Sequence, residues 1–217
     1  MKVCTDSCLF GSWTEVEDHV GSILDIGTGT GLLSLMLAQK TYSKIEAIEI
    51  DNNAYLQSTE NFNNSSWKER LTAHHGDARS FPFQNKFDFI ICNPPFYENE
   101  VSSEIREERI AKHSMFFTLS DLMAIISNFL KEGGKFSLLL PYFRKDEFEK
   151  LAASHQFYPQ ETMLIKQTHK HDFFRYAGVF SKKAPMGNKP LEMIIKTGSN
   201  HYSPEAIALL KPYYLYL

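Results

Sequence analysis

No residue type in these 217 residues is abundant enough to name a class by itself. There are only three cysteines, Cys4, Cys8 and Cys92, and their spacing makes neither a disulfide framework nor a metal site. That points to a reducing compartment, the cytoplasm, and to no metal. Long apolar runs are missing too: none reaches the roughly 20 residues of a membrane helix, so no membrane is expected, and no signal peptide is expected ahead of the fold. Repeats, linkers and low-complexity tracts are lacking. The net charge is only −3, which does not advertise a nucleic-acid binder. What remains is ordinary globular composition, 43% hydrophobic and 23% charged, read as one domain over residues 1–217 with a substantial core. The charge is uneven, however. Residues 1–100 carry 7 Lys and Arg against 14 Asp and Glu, whereas residues 101–217 carry 16 against 12. A basic second half can face phosphates, and it is equally ordinary solvated surface.

The apolar pattern alternates between two periods. Ser22–Thr28, Lys44–Ile50, Leu71–Asp77, Phe87–Asn93 and Lys135–Pro141 read as short strands. Helical patterns follow Gly31, run from Asn52 to Asn64 with Asp51 or Asn52 as cap, and cover Leu119–Gly134 with a glycine stop. Arg144–Ser154 is a further helix. The segments TMLIKQ and FFRYAGVF read as a closing hairpin around His169–Asp172, followed by a candidate strand LEMIIKT and a terminal helix with Pro204 in its first turn. Alternating strands and helices predict an α/β fold with a doubly wound, mainly parallel sheet, Rossmann-like, closed by an antiparallel hairpin.

Four strand ends carry candidate chemistry. Asp25-Ile26-Gly27-Thr28-Gly29-Thr30-Gly31 joins the first strand to the first helix after it. Glycines bring backbone close to a ligand, and the helix N-terminus adds positive dipole. The dinucleotide fingerprint needs a small residue where Leu32 stands, so that pattern fails. A carboxylate at Asp25 would repel a pyrophosphate but suits a ligand with an ammonium and a sulfonium. Acid-x-G-x-G-x-G is typical of S-adenosylmethionine enzymes of this architecture. Glu49, about 20 residues past the glycines, can accept two ribose hydroxyls, while Asp51 suits a helix cap. Asp77, Ala78 and, further on, Asn93 are candidate cofactor contacts, Asp77 as an acceptor for an adenine amine or else a turn-forming Asp. The fourth is Asn93-Pro94-Pro95-Phe96, an amide and two prolines ending a strand that reads as buried. Prolines forbid further pairing and fix the backbone.

In this order and spacing, DIGTGTG, EID, GDA and NPPF resemble a class I methyltransferase acting on a planar amino group. Met1–Asp6, Leu9–Trp13, Ala111-Lys112-His113, His201–Glu205 and Tyr213-Tyr214-Leu215 narrow the likeness to the bacterial tRNA1(Val) (adenine(37)-N6)-methyltransferase family. The resemblance spans essentially the whole chain. It implies a seven-stranded class I methyltransferase sheet, S-adenosylmethionine as cofactor, and methylation of N6 of adenine 37, just 3′ of the anticodon. It implies a tRNA partner. Residues 1–20, with Thr5 and Asp6, would close over the methionine end of the cofactor; Thr5 is equally a helix cap. Family members carry a short segment ahead of the stretch that Met1 opens here, and Lys112 stands where Arg is common.

On that reading, the Asn93 side-chain oxygen and the Pro94 carbonyl grip both N–H bonds of the adenine amine. The nitrogen lone pair is thereby freed from the ring, and the prolines hold both acceptors in advance. Phe96 stacks on the base. Residues 97–117 are a candidate substrate lid or an exposed helix with Glu/Arg pairs. Arg109, Lys112, His113, Lys170, Arg175 and Lys182 are candidate phosphate contacts. Other activities fit the same motif: N5-methylation of a protein glutamine, or N2-methylation of an rRNA guanine. A cofactor-binding RNA chaperone is the alternative without catalysis. Nothing in the sequence sets an oligomeric state.

Overall fold

A computed structural model describes residues 4–94, 117–184, 187, 189–198 and 201–216. Pro95, Phe96, Arg109, Lys112, His113 and nearly all of the candidate lid lie outside them. Among the described residues, one sheet holds eight strands: β1 (Ser22–Ile26), β2 (Lys44–Glu49), β3 (Leu71–His75), β4 (Phe87–Cys92), β5 (Leu130–Pro141), β6 (Tyr158–Lys166), β7 (Phe173–Ser181) and β8 (Leu191–Ile194). Their order is β3-β2-β1-β4-β5-β7-β6-β8. Only β7 runs against its neighbours. The expected seven strands become eight because Leu191–Ile194 pairs in parallel with β6.

Among the described residues, six α-helices flank the sheet: α1 (Thr5–Trp13), α2 (Leu32–Lys40), α3 (Asn52–Asn63), α4 (Leu119–Phe129), α5 (Lys145–Ser154) and α6 (Pro204–Leu210). The period-2 alternation of strands sorts side chains between two cores. Ile23, Ile45, Ala47, Phe89 and Ile91 face α1, α2 and α6 through Leu9, Phe10, Leu37 and Leu210. Leu24, Ile26, Ile48, Ile90 and Leu138 face α4 and α5 through Leu122, Met123 and Phe148. Burying both faces is what makes the central strands read as continuous apolar runs. Caps behave as local chemistry dictates. The Asp51 carboxylate accepts from the Ala54 amide, and Thr118 and Asp121 form a reciprocal capping box on α4.

The predicted helix over Leu119–Gly134 is too long. It ends at Phe129, and Leu130 turns extended to pair with Phe87. Residues 131–134 then bulge before pairing resumes at Lys135 opposite Phe89. Gly133 takes φ +75° inside this bulge, so it serves the strand and not a helix stop. Gly134 lies against the Asp88 carbonyl, where an added Cβ would sit 2.9 Å from that oxygen. Backbone cannot yield as a side chain can. Gly134→Ala should therefore lower stability by about 1–3 kcal/mol. Urea denaturation measures this, and an unchanged midpoint would show that the bulge relaxes freely.

Candidate active site

The strand order reverses at β1 and β4, and the helices after these strands pack on opposite faces. Such a seam opens a crevice at the carboxyl ends of the strands. Register brings Asp25 beside Ile91 and Ile26 beside Cys92, so the glycine loop and Asn93 leave the sheet side by side.

The loop turns through three left-handed glycines, Gly27 at φ +69°, Gly29 at +58° and Gly31 at +84°. Only Gly accepts this repeatedly without strain. Gly31 has a second reason, since a Cβ there would meet Phe62 of α3 at 2.5 Å. Nothing lies within 4 Å of where a Cβ of Gly27 would stand, so that side of the loop is open. Several partners hold the loop in shape. The Gly27 amide donates to the Ile48 carbonyl, the Gly29 amide to Glu49 Oε2 at 2.8 Å, and Asn61 Nδ2 to the Thr30 carbonyl.

Asp25 is fully buried on the α2 side of β1. Its Oδ2 accepts from the Thr28 and Ser34 hydroxyls at 2.6 and 2.7 Å. Its Oδ1 is buried without a partner. Burial pushes its pKa up to about 6, against the opposing pull of the Thr28 and Ser34 bonds and with a further rise from the Glu49 charge. Glu49 ends β2 with Oε1 on the Asp51 amide and Oε2 on the Gly29 amide. Each oxygen keeps a second lone pair. Ile50, next along, is 62% exposed and offers an apolar face beside it.

Asp77 follows β3, but its carboxylate is engaged by the Arg79 guanidinium at 2.5–3.0 Å and by the Arg79 amide. That Arg79 bond holds the Asp77 pKa down. Ala78 is packed into the core with Ile26 and Ile48.

Asn93 is half-buried at the end of β4, and Pro94 is buried. Alternation along β4 sends Asn93 to the α1 face, where its Nδ2 donates to Ser7 Oγ at 2.9 Å. Cys92, directly before it, is inert. Burial, then the Asp25 and Glu49 charges, push its thiol pKa well up.

Thr5 is the first residue of α1 and Cys4 occupies the cap position, so the expected capping role does not fall to Thr5. Tyr214 packs against the core that holds Cys8, Leu9 and Phe10 of α1 and lines a surface hollow together with Cys8. The Tyr-rich tail thus packs over α1. Asp6 Oδ2 accepts from Arg175 Nε at 2.7 Å. A predicted cofactor residue and a predicted RNA residue are therefore paired with each other.

The basic hairpin residues are divided. Lys170, in the exposed turn before β7, and Arg175, opposite Pro141 at the end of β5, lie on the same sheet edge as Asn93. Lys182 follows the other end of β7 and lies over Phe157, beside a cavity of about 220 Å³ that Lys86, Lys131 and Gly133 also line. It is at the opposite edge and does not join the site. Among the described residues, no helix is long and apolar enough to cross a membrane, and no group of three or more His, Cys, Asp and Glu side chains could hold a metal ion.

Ser7, Ser34 and Asn61 were not among the residues singled out from the sequence. Ser34 had a signal, a lone polar residue inside the apolar run LLSLMLA. Ser7 and Asn61 had none, because their partners are distant in sequence.

Residues 9–145 match the family described as Methyltransferase small domain. The chain is 37% identical, over 99% of its length and 93% of the relative, to the tRNA1(Val) (adenine(37)-N6)-methyltransferase of Flavobacterium psychrophilum. A relative of the same name from Dyadobacter fermentans is also 37% identical, over 99% of this chain and 91% of that one. Among solved structures, a predicted O-methyltransferase from Agrobacterium tumefaciens superposes with a TM-score of 0.70 at 17% identity, covering 96% of this chain and 97% of that one. At that identity the likeness concerns the fold.

The buried carboxylate has a consequence for stability. Between the ordinary carboxylate pKa of 3.8 and about 6, Asp25 ionises in the unfolded chain but stays protonated in the ligand-free fold. The fold binds more protons in this window, so this group's contribution falls as pH rises through it and is most unfavourable above pH 6. Relative to wild type, Asp25→Asn should gain about 1–3 kcal/mol between pH 4 and pH 7. Denaturant titrations at both pH values measure the difference, and parallel curves would contradict the assignment.

Proposed function

The chain belongs to the tRNA1(Val) (adenine(37)-N6)-methyltransferase family, and from that premise we propose that it transfers a methyl group from S-adenosylmethionine to N6 of adenine 37 in tRNA1(Val). The observation that carries the reading is Asn93. It stands at the seam beside the glycine loop with its amide nitrogen already bonded to Ser7, which leaves Oδ1 as an acceptor. The reaction places the protein in the cytoplasm, with the tRNA.

The residues fit the cofactor on their own terms. Gly27 offers open backbone, Asp25 Oδ1 is a buried acceptor lacking a partner, and Glu49 retains lone pairs for ribose hydroxyls. Ile50 supplies an apolar surface for the base. Gly27, Gly29, Gly31, Asp25 and Glu49 would hold the group. Asp77 would meet the base edge while still bonded to Arg79. When bound, S-adenosylmethionine supplies an electrophilic methyl carbon on a sulfonium that departs as a neutral thioether.

The protein's task lies with the amine. The N6 lone pair of adenine is delocalised into the ring and is a weak nucleophile. Asn93 Oδ1 and the Pro94 carbonyl accept its two N–H bonds and favour the pyramidal nitrogen that attack requires. Proline rigidity sets these acceptors before substrate arrives. The methylated nitrogen is an acidic aminium that loses its proton to water, so no strong base is needed. Cys92 does not compete, because its thiol stays protonated.

Asn93→Ala should slow single-turnover methylation of a tRNA1(Val) transcript by about 10²–10³ while cofactor affinity stays within a few-fold. Nucleoside mass spectrometry of the product reads base and atom. Wild-type turnover in this variant, or a methyl group elsewhere than N6, would overturn the reading.

The tRNA backbone approaches across the edge that carries Lys170 and Arg175. Lys170→Ala should weaken tRNA binding and reduce the dependence of log affinity on log salt by about one phosphate contact. Lys182→Ala, on the opposite edge, should leave that slope unchanged. Equal effects of the two substitutions, measured by filter binding across salt concentrations, would remove this orientation of the RNA.

A further inference from the structure

An asparagine amide has two chemically opposite ends. Its oxygen accepts and its nitrogen donates, and the terminal torsion that exchanges them is broad and nearly two-fold. A substrate amine that presents N–H bonds needs the oxygen. With the amide reversed, two donors would face each other. Pro94 fixes the backbone after Asn93, but backbone rigidity does not choose between the ends. The choice has to come from a side-chain partner.

Ser7 is that partner. Its Oγ accepts from Asn93 Nδ2 at 2.9 Å. Ser7 is half-buried near the start of α1, and the helix around it is fastened on several sides. The Asp6 carboxylate bonds Arg175 on β7 at 2.7 Å. Ser12 donates to the Leu209 carbonyl of α6. At Gly11, a Cβ would fall 2.7 Å from Met36 Sδ, so α1 lies directly on α2. A hydroxyl carried by so constrained a helix is an acceptor at a set point.

We propose that Ser7 is the positioning residue for Asn93: its hydroxyl takes the amide N–H and so commits Oδ1 to the substrate amine. This rests on the proposed role of Asn93. Ser7 itself touches neither substrate nor cofactor in this role. Without it, the amide samples both orientations, and only one accepts from the amine.

The test is a double-mutant cycle read by single-turnover methylation of the tRNA1(Val) transcript. Alanine is a better helix former than serine, so α1 persists in Ser7→Ala. In the wild-type background, Ser7→Ala should lower the methyl-transfer rate at saturating substrates about three- to tenfold, the scale of one hydrogen bond. Cofactor affinity and melting temperature should not change. Asn93→Asp places an oxygen at both ends, so orientation no longer matters, and Ser7→Ala should then cost less than about twofold, below the range of a lost hydrogen bond. An unchanged rate for Ser7→Ala overturns the proposal, as does an equal loss in both backgrounds. If Asn93→Ala itself reacts like wild type, the reading of the site fails first; if Asn93→Ala is crippled and Ser7→Ala is not, only the positioning role fails.

Discussion

The site depends on the seam between β1 and β4. β1 pairs with β2 on one side and β4 on the other, all in parallel, and the chain leaves these strands toward opposite faces. The crevice at their carboxyl ends, where the strand order reverses, is where open α/β sheets bind their ligands. Distance from the seam then sorts the residues. Glu49 and Asp77 come from β2 and β3 on the β1 side, and Arg175 comes from β7 on the β4 side, at the end of β5. On the proposed reading, cofactor and RNA meet over Asn93.

The glycine loop illustrates how such a site is held rigid. Left-handed backbone is costly to leave unsupported, and the loop's amides are anchored to the end of β2, Gly29 through Glu49 and Gly27 through Ile48. Asp25 braces it from beneath, through Thr28 and Ser34. Burying that carboxylate opposes stability, as its raised pKa shows. Proteins keep such groups where function needs an acceptor in place before the ligand arrives. α1 is braced likewise beside Asn93, tied to β7 by Asp6 and Arg175 and packed against Tyr214. Arg175 is therefore partly engaged within the protein, and Lys170 is the freer cation on that edge.

Local features were legible in the sequence because local physics decides them. Glycine spacing, the Asp51 cap, Pro204 in the first turn of α6 and the two-residue period of β4 follow from sterics and hydrogen bonding within a few residues. So did the order of elements, and with it the arrival of Asp25, Glu49, Asp77 and Asn93 at neighbouring strand ends. The β5 bulge was not legible, since Leu119–Gly134 keeps a helical pattern until pairing with Phe87 overrides it. The eighth strand was legible as the candidate LEMIIKT, but its membership of the sheet was not, because that depends on finding β6.

The sequence by itself determined which chemical groups stand at the strand ends, because alternation and turn chemistry place them wherever the sheet forms. The tertiary structure alone decided which partner each polar atom takes. Ser7 and Asn93 are 86 residues apart, and Asp6 and Arg175 are 169 apart. No periodicity links such pairs; they meet because α1 packs across the ends of β4 and β7. Strand direction likewise parted Lys182 from Arg175, which share one strand pattern but emerge at opposite edges of the sheet. The reason is the same in each case. Backbone geometry is settled over a few residues, whereas the partner of a side chain is settled by which elements are buried against each other.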